Sequence, residues 1–184
     1  MAVDVVLVRH GPVVVEPGLC YGRLDVEPTC IPAGLVKQME AGLAGQSPSC
    51  ISTSPSRRCR LIAETIGQAF GLVPRVDARL QELDFGCWEG RSWSALPRTE
   101  LDAWAADLED GAPPDGETGA SLVERVGAFR RTLAKMSGPH VIVSHGGPLK
   151  VLSALLRGRP ADLLAPAAAL GSLEFICLQD PQGS

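Results

Sequence analysis

The amino-acid sequence predicts an α/β fold, a three-layer α/β/α sandwich around a mostly parallel central sheet. Short apolar runs alternate along the chain with stretches of helical period, which is typical of a parallel sheet with helices on both faces. The first run is the clearest: five of the six residues from Val3 to Val8 are Val or Leu, which predicts a strand buried on both faces. With 184 residues, the chain is expected to form one domain, 1–184.

The first strand ends in an abrupt change of chemistry. Arg9 and His10 place a fixed positive charge and an imidazole at its carboxyl end, and Gly11 lets the backbone turn away. In open α/β sheets, ligands bind outside the carboxyl ends of the strands. We therefore expect a site there, with the irregular segment Pro12–Pro32 as one wall, because long loops in compact domains are often functional. The candidate substrate-binding residues in this wall are Tyr21, Gly22 and Arg23.

The remaining elements are predicted from periodicity and from turn residues. Apolar residues at a spacing of three or four indicate helices, whereas Pro suits a helix start and Gly a helix end. In chain order, the predicted elements are a helix from Pro32 to Gly45, a strand over Cys50–Thr53, a helix from Ser54 to Gly71, a strand over Leu72–Val76, a loop over Leu80–Gly90, a helix over Arg98–Leu108, a helix over Gly119–Met136, a strand over His140–Val143, a helix over Leu149–Leu156 and a strand over Ser172–Leu178. Residues 12–32 and 80–118 are expected to cover the site.

The composition is that of a globular protein with a mildly acidic surface. Lys and Arg number 17 and Asp and Glu number 21, so the net charge is −4. The absence of a long basic run argues against nucleic-acid binding, and no apolar stretch approaches the roughly 20 residues of a membrane helix. The amino terminus has no secretory pattern, so a cytoplasmic protein is expected, as a monomer or a homodimer.

The six cysteines are scattered, without a CxxC pair or neighbouring histidines. This arrangement favours reduced thiols over disulfides or a zinc site. No cluster of carboxylates indicates a magnesium site either. We therefore expect neither a metal nor another cofactor.

Two of the three histidines share one arrangement, an apolar strand followed by His and Gly. His10 follows the first strand, and His145 follows the strand over His140–Val143. One histidine at a strand end is more often an ordinary surface residue. Two of them, at the carboxyl ends of buried strands, favour a shared site. His140 begins a strand instead, and we interpret it as structural or exposed.

Positive charge and helix starts accompany these histidines. Three arginines lie in the first turns of the helix after the second strand, namely Arg57, Arg58 and Arg60. A helix N-terminus presents free backbone N–H groups and the positive end of its dipole, so arginines there can hold a phosphate, although a solvated basic turn is an equally good interpretation. Gly146 and Gly147 begin another helix at the same edge, where backbone donors can approach an anion closely.

Paired imidazoles and arginines around one anion predict phosphoryl transfer to a histidine. A neutral imidazole held in line with phosphorus is a nucleophile, and surrounding cations offset the charge on the equatorial oxygens. A leaving alkoxide also needs a proton from an acid in a nearby loop. Glu82 is the candidate, because apolar neighbours favour a protonated carboxyl group. Asp84 and Glu89 compete for this role, and spacing alone does not choose among the three.

The candidate site residues, and the order in which they follow one another along the chain, resemble those of the histidine phosphatase superfamily, whose fold is phosphoglycerate-mutase-like. The resemblance covers nearly the whole chain. The matching residues are Arg9-His10-Gly11, Ser54-Pro55 with Arg58, Glu82 before Phe85-Gly86-x-Trp88-Glu89-Gly90, and Ser144-His145-Gly146-Gly147. The resemblance implies that His10 is the phosphorylated nucleophile and that Glu82 is the proton donor that later activates water. The implied phosphate clamp consists of Arg9, Arg58 and His145.

Within this superfamily, the segment Gly18–Asp25 is similar to the α-ribazole phosphatase branch, as are LDFGCWEG and LDAWAAD further on. That branch implies a small metabolite, α-ribazole 5′-phosphate or the cobalamin carrying it, as the substrate. Other interpretations stay open: a phosphoglycerate mutase, which is typically longer; a phosphohistidine-protein phosphatase; and a non-catalytic phosphate-binding module, which would need no acid. The tryptophans of the cover, Trp88, Trp93 and Trp104, either shape a pocket for an aromatic base or form core.

Overall fold

A mixed sheet forms the centre of the molecule, as a computed structural model of residues 3–133 and 138–178 shows. The strands within these ranges are β1 (Val5–Arg9), β2 (Cys50–Thr53), β3 (Arg75–Val76), β4 (His140–Ser144) and β5 (Leu173–Ile176), arranged in the order β3-β2-β4-β1-β5. All neighbouring pairs are parallel except β1 and β5, which are antiparallel. The mostly parallel α/β architecture is confirmed.

Helices cover both faces of this sheet. Within the described ranges they are α1 (Leu35–Leu43), α2 (Arg57–Phe70), α3 (Arg98–Ala106), α4 (Gly119–Leu133) and α5 (Gly146–Leu156). The apolar sides of α1 and α2 pack on one face of the sheet, and those of α4 and α5 pack on the other. None of the helices in these ranges is both long and apolar enough to cross a bilayer.

The first strand shows why the sheet is buried on both sides. Val6 and Val8 point into the core with α1 and α2, whereas Val5 and Leu7 point into the core with α4 and α5. Successive side chains of a strand alternate between the two faces, so an unbroken apolar run serves both cores. Fully burying such a side chain contributes about 1.5–3 kcal/mol.

The third strand is shorter than the predicted span Leu72–Val76. The residues after α2 close the helix instead of pairing. Gly71 adopts a left-handed conformation, and the N–H of Leu72 donates to the carbonyl of Gly67 over 2.9 Å. Pro74 has no N–H for the ladder, so pairing begins only at Arg75.

Other boundaries also differ from the predicted ones. Helix α5 begins at Gly146 rather than Leu149, because Pro148 is accommodated in the first helical turn, where N–H groups lack partners. The predicted loop over Leu80–Gly90 contains a short 3-10 helix, Gly86–Trp88. The predicted end of the helix over Gly119–Met136 lies outside the described residues.

The cover is stabilised by its own aromatic core. Trp88 is buried and donates from Nε1 to Glu100, and it packs edge-on against Trp93 and Trp104. Phe85 makes similar contacts with Trp93 and Trp104. These side chains pack together with Cys20 of the first loop. The tryptophans therefore contribute a satellite core that fixes the two cover segments to each other.

Candidate active site

Two histidines face each other beyond the carboxyl edge of the sheet. β1 and β4 are parallel, with Arg9 opposite Ser144, so the residues that follow leave the sheet side by side. These residues are His10 and His145, whose ring centroids lie 5.2 Å apart. Both side chains are buried. The structure thus brings the two strand-end histidines together.

The ring of His10 is held in one tautomer by its own loop. Nδ1 lies 2.8 Å from the carbonyl oxygen of Gly11, and because a carbonyl only accepts, Nδ1 carries the proton and Nε2 keeps its lone pair. Burial lowers the pKa of His10 to about 4 despite this hydrogen bond. The charges of Arg58 and Arg9 lower the pKa further. At neutral pH the ring is therefore uncharged, with Nε2 able to act as a nucleophile.

His145 is held through both of its ring nitrogens. Arg58 Nη2 donates to Nδ1 over 3.2 Å, so Nε2 carries the proton and donates to Ser54 Oγ over 2.8 Å. Burial, followed by the charge of Arg58, keeps the pKa of His145 well below its usual range. The Sγ atom of Cys59 packs 3.5 Å from Nε2, and burial raises the pKa of this thiol. Both groups are therefore neutral at neutral pH.

Arg58 lies in the first turn of α2 and is almost completely buried. Nη1 and Nη2 donate to the carbonyls of Leu24 and Gly22, each over 2.7 Å, which attaches the wall of the site to the helix. Its Nε–H is buried and has no partner among the described residues. An unsatisfied buried donor costs about 1–3 kcal/mol, so an anion that accepts from Nε would relieve this cost.

The other two arginines of this helix start point elsewhere. Arg57 forms an ion pair with Glu27, and its backbone N–H donates to Asp25 over 2.7 Å. Arg60 is exposed and lines a shallow surface depression with Glu27. Of the three arginines, Arg58 is the one that contacts His145.

The guanidinium of Arg9 packs against the start of α5. Nη1 donates to the carbonyl of Ala168, and the buried Nε–H has no partner within the described ranges. The guanidinium packs on the first residue of α5, where a Cβ on Gly146 would lie 3.2 Å from Arg9 Cζ. Arg9 also lines a cavity of about 680 Å³ between α5 and the following loop. Neither His10 nor His145 lines this cavity, whereas their chain neighbours Arg9 and Gly146 do.

Glu82 reaches the start of α5 from the second cover segment. Its Oε1 accepts from the N–H groups of Leu83, at 2.9 Å, and of Gly147, at 3.2 Å. A Cβ on Gly147 would collide with Oε1, so glycine permits this close approach. Because Gly147 lies two residues beyond His145, the carboxyl group is held at the helix start that borders the histidine pair.

The carboxylates of the two competing acids, Asp84 and Glu89, bind groups of the surrounding loops instead. Asp84 accepts from the N–H of Gly86 over 2.9 Å and pairs with Arg23 over 3.1 Å. Glu89 accepts from three backbone N–H groups, those of Arg23, Leu24 and Phe85. Their carboxylates are occupied by local donors, which leaves Glu82 as the candidate acid with a contact to α5.

Two of the predicted substrate-binding residues border the site. The ring centroids of Tyr21 and His10 lie 6.5 Å apart. The Cζ atom of Arg58 lies 5.2 Å from the centroid of the Tyr21 ring. Gly22 contributes its carbonyl to Arg58. A side chain at Gly22 would collide with Glu89, so the close packing of the two cover segments requires glycine there. Their contact with substrate stays a prediction.

The third predicted residue, Arg23, is engaged in the loops. Its guanidinium donates to the carbonyl of Glu82 and to the carboxylates of Asp84 and Glu117, each over 3.1 Å. The sequence analysis missed two partners of this network, Glu117 and Arg125. They lie eight positions apart around the start of α4, a spacing that carries no local pairing signal.

Among residues 3–133 and 138–178, no group of three or more His, Cys, Asp or Glu side chains has an arrangement that could hold a metal ion. The site instead combines two neutral imidazoles with Arg9 and Arg58, whose buried Nε–H groups both lack an acceptor in the described structure. Fixed cations with free donors are suited to a tetrahedral oxyanion. The arrangement can therefore receive a phosphate beside His10.

The fold is that of the phosphoglycerate-mutase-like α/β proteins. The chain matches the model of the histidine phosphatase superfamily (branch 1) over residues 5–179, and it belongs to that superfamily. The glucosyl-3-phosphoglycerate phosphatase of Mycobacterium tuberculosis is 30% identical, over 91% of this chain and 80% of that protein. Relatives of this chain include named phosphatases, and the chain is a phosphoric monoester hydrolase by class. Proteins named probable phosphoglycerate mutase, such as the one of Klebsiella pneumoniae, are 37% identical over 60% of this chain and 54% of that protein.

Solved structures show the same likeness. A mycobacterial glucosyl-3-phosphoglycerate phosphatase in complex with VO3 has a TM-score of 0.77 and 28% identity, over 94% of this chain and 91% of that chain. The α-ribazole phosphatase of Shigella flexneri has a TM-score of 0.77 and 25% identity, over 92% and 87%. The similar structures thus include phosphatases that are named for two different substrates.

Proposed function

We propose that this chain hydrolyses small phosphomonoesters through a phosphohistidine on His10. The observation that carries the proposal is the state of the His10 ring. The carbonyl of Gly11 holds the proton on Nδ1, and burial keeps the pKa near 4, so Nε2 is a free base at neutral pH. An imidazole in this state attacks phosphorus without first losing a proton.

In the first step, Nε2 of His10 forms a bond to phosphorus while the bond between phosphorus and the ester oxygen breaks. The departing alkoxide takes a proton from Glu82. Arg9 and Arg58 offset the charge on the three equatorial oxygens, and the neutral ring of His145 packs beside the phosphate and orients Arg58 through Nδ1. This electrostatic role requires no metal ion.

In the second step, the phosphoryl group passes to water. The Glu82 carboxylate removes a proton from the attacking water, the new oxygen–phosphorus bond forms, and the bond from phosphorus to Nε2 breaks. Inorganic phosphate leaves, and both His10 and Glu82 return to their starting states. One carboxyl group thus serves as acid and then as base, which requires that it stay beside the same phosphorus atom.

The substrate is proposed to be a small metabolite, with α-ribazole 5′-phosphate as the first candidate. The similarity of the first cover segment to α-ribazole phosphatases supports it, and so does the Shigella structure. A sugar-linked phosphoglycerate is the second candidate, supported by the identity to the mycobacterial enzymes. The two candidates are separated by measuring turnover under one set of conditions for three substrates, namely α-ribazole 5′-phosphate, glucosyl-3-phosphoglycerate and 3-phosphoglycerate. The ratio of their kcat/KM values ranks the candidates.

The chemistry is tested with p-nitrophenyl phosphate in the presence of EDTA. We expect turnover, an acid-labile phosphoryl group on His10 detectable by mass spectrometry, and a loss on the order of 10³-fold or more in His10→Ala. Equal turnover by the parent and His10→Ala would remove the proposed nucleophile. Activity that disappears in EDTA contradicts metal independence, and binding without turnover indicates a non-catalytic phosphate-binding module.

A further inference from the structure

Arg125 of α4 forms hydrogen bonds with the backbone of the segment that leads into Glu82. Its Nη1 donates to the carbonyls of Arg79 and Gln81, each over 2.7 Å, and its Nη2 donates to the carbonyl of Glu82 over 3.1 Å. One planar guanidinium therefore fixes three carbonyls within four successive residues. A lysine ammonium, which is a point donor on a flexible stem, cannot reproduce this fork.

Glu117 holds two guanidinium groups in this position. Its carboxylate accepts from Arg125 Nε over 2.6 Å and Nη2 over 2.9 Å, and from Arg23 Nη2 over 3.1 Å. Arg23 in turn donates from Nε to the carbonyl of Glu82. The Glu117 side chain is only 11% exposed, so these charge-assisted hydrogen bonds are largely shielded from solvent.

We infer that Arg125 and Glu117 are positioning residues for the proton transfer by Glu82, an inference that rests on the proposed function. Glu82 is held at both ends: its carbonyl by Arg125 and Arg23, and its carboxyl group by the N–H groups of Leu83 and Gly147. Through Arg23, the same network connects the first cover segment to the second. Within the described residues, no hydrogen bond or ion pair joins Arg125 or Glu117 to His10 or His145, and the charge of Arg125 is only a lesser cause of the lowered pKa of His145. Arg125→Lys keeps that charge, so its effect on the reaction is expected to pass through Glu82.

The leaving group distinguishes positioning from general structural support. A p-nitrophenolate leaves without needing a proton, whereas the alkoxide of glycerol phosphate needs one from the acid. The constant kcat/KM reports the steps up to release of the leaving group, and hydrolysis of the phosphoenzyme is common to both substrates. A displaced Glu82 therefore lowers kcat/KM for the alkyl ester selectively.

The test measures kcat/KM of Arg125→Lys and Glu117→Gln on glycerol phosphate and on p-nitrophenyl phosphate. For glycerol phosphate we expect a loss on the order of 10- to 100-fold, because a displacement of about 1 Å at a catalytic group can cost 10²-fold. For p-nitrophenyl phosphate we expect a change of less than about threefold. Glu117→Gln keeps the shape of the side chain and supports the test if Arg125→Lys does not fold.

Arg157→Lys is the matched control. Arg157 at the end of α5 also forms an ion pair, with Glu174 over 2.7 Å, and it has no hydrogen bond or ion pair with Glu82, Glu117 or Arg125. Its activity on both esters should equal that of the parent. Glu82→Gln is the reference for the acid and should show the same selectivity more strongly.

The outcomes separate this inference from the proposed function. If Glu82→Gln lowers kcat/KM equally for both esters, then the acid role of Glu82 is wrong and the inference falls with it. If Glu82→Gln is selective but Arg125→Lys and Glu117→Gln lower both esters equally, the positioning inference is overturned and the proposed function stands. Selective loss in all three variants, with Arg157→Lys unchanged, supports the inference.

Discussion

The two ends of β4 each carry a buried histidine, and only one of them lies in the site. His140 is 3% exposed and His145 is 0% exposed. Burial lowers the pKa of His140 to about 4, with a smaller effect of the charge on Arg75. The pKa of His145 is also well below its usual range, and again burial is the largest cause. Depressed basicity therefore does not distinguish the two histidines.

Their surroundings do distinguish them. His140 shares a hydrogen bond of 2.9 Å with Ser52 and packs 6.4 Å from the ring of Phe129. His145 lies against Arg58 and 5.2 Å from the ring of His10. Because β1, β2 and β4 are parallel, their carboxyl ends meet at one edge, where α2 and α5 also begin. Arginines and helix N-termini lie at that edge. A lowered pKa indicates a functional histidine only where such groups lie close to it.

The largest difference between the two ends is expected in activity. His145→Gln keeps a group able to bond Ser54 but removes the imidazole that lies beside the proposed phosphate site, so kcat/KM should fall on the order of 10²- to 10³-fold. His140→Gln should stay within about threefold of the parent, because it changes only a bond to Ser52. Steady-state kinetics on p-nitrophenyl phosphate checks both. A similar loss of kcat/KM in both variants would mean that the two ends of β4 do not differ in function.

The second effect is on stability, and it concerns His140 at the start of β4 together with His10, which is also buried. The unfolded chain binds protons at histidine below about pH 6.5, whereas folded His10 and His140 resist protonation until about pH 4. The free energy of unfolding is therefore highest above pH 6.5 and falls as the pH drops, by about 2 kcal/mol between pH 7 and pH 4.5 for each of these histidines. Urea unfolding at pH 7 and pH 4.5 measures the fall.

The variant His140→Gln sharpens this measurement, because it removes one of the buried histidines without touching the site. Its free energy of unfolding should fall less between pH 7 and pH 4.5 than that of the parent, by about 2 kcal/mol. Equal slopes for the two proteins would contradict the assignment of a neutral, buried His140.

The smallest expected effect is at the start of α5. Gly147→Ala places a Cβ against Oε1 of Glu82, the far end of a flexible side chain, so the carboxyl group of this proposed acid moves while the fold remains. We expect about a tenfold loss of kcat/KM on an alkyl phosphate with little change in Tm. The control is Gly127→Ala in α4, where the nearest atoms to the new Cβ are 3.9 Å away. Its activity should be unchanged, and a lower activity would point to an indirect cause.

Local pattern was sufficient for the first strand and for the pairing of His10 with His145. An apolar run defines a strand, and parallel strands in one sheet bring their carboxyl ends together without further information. Pattern was not sufficient to choose among Glu82, Asp84 and Glu89, which lie within eight residues of one another. The choice depends on which carboxyl group meets the N–H of Gly147, a contact across 65 positions of the chain.

The sequence by itself determined the sheet, the helices on both faces and the histidines at the strand ends, because these follow from periodicity and from the order of residues along the chain. The tertiary structure alone decided that Arg58 rather than Arg57 or Arg60 reaches His145, and that Glu117 and Arg125 hold the loop of Glu82. Such choices depend on the directions of side chains from segments that are distant in sequence, and no local pattern encodes those directions.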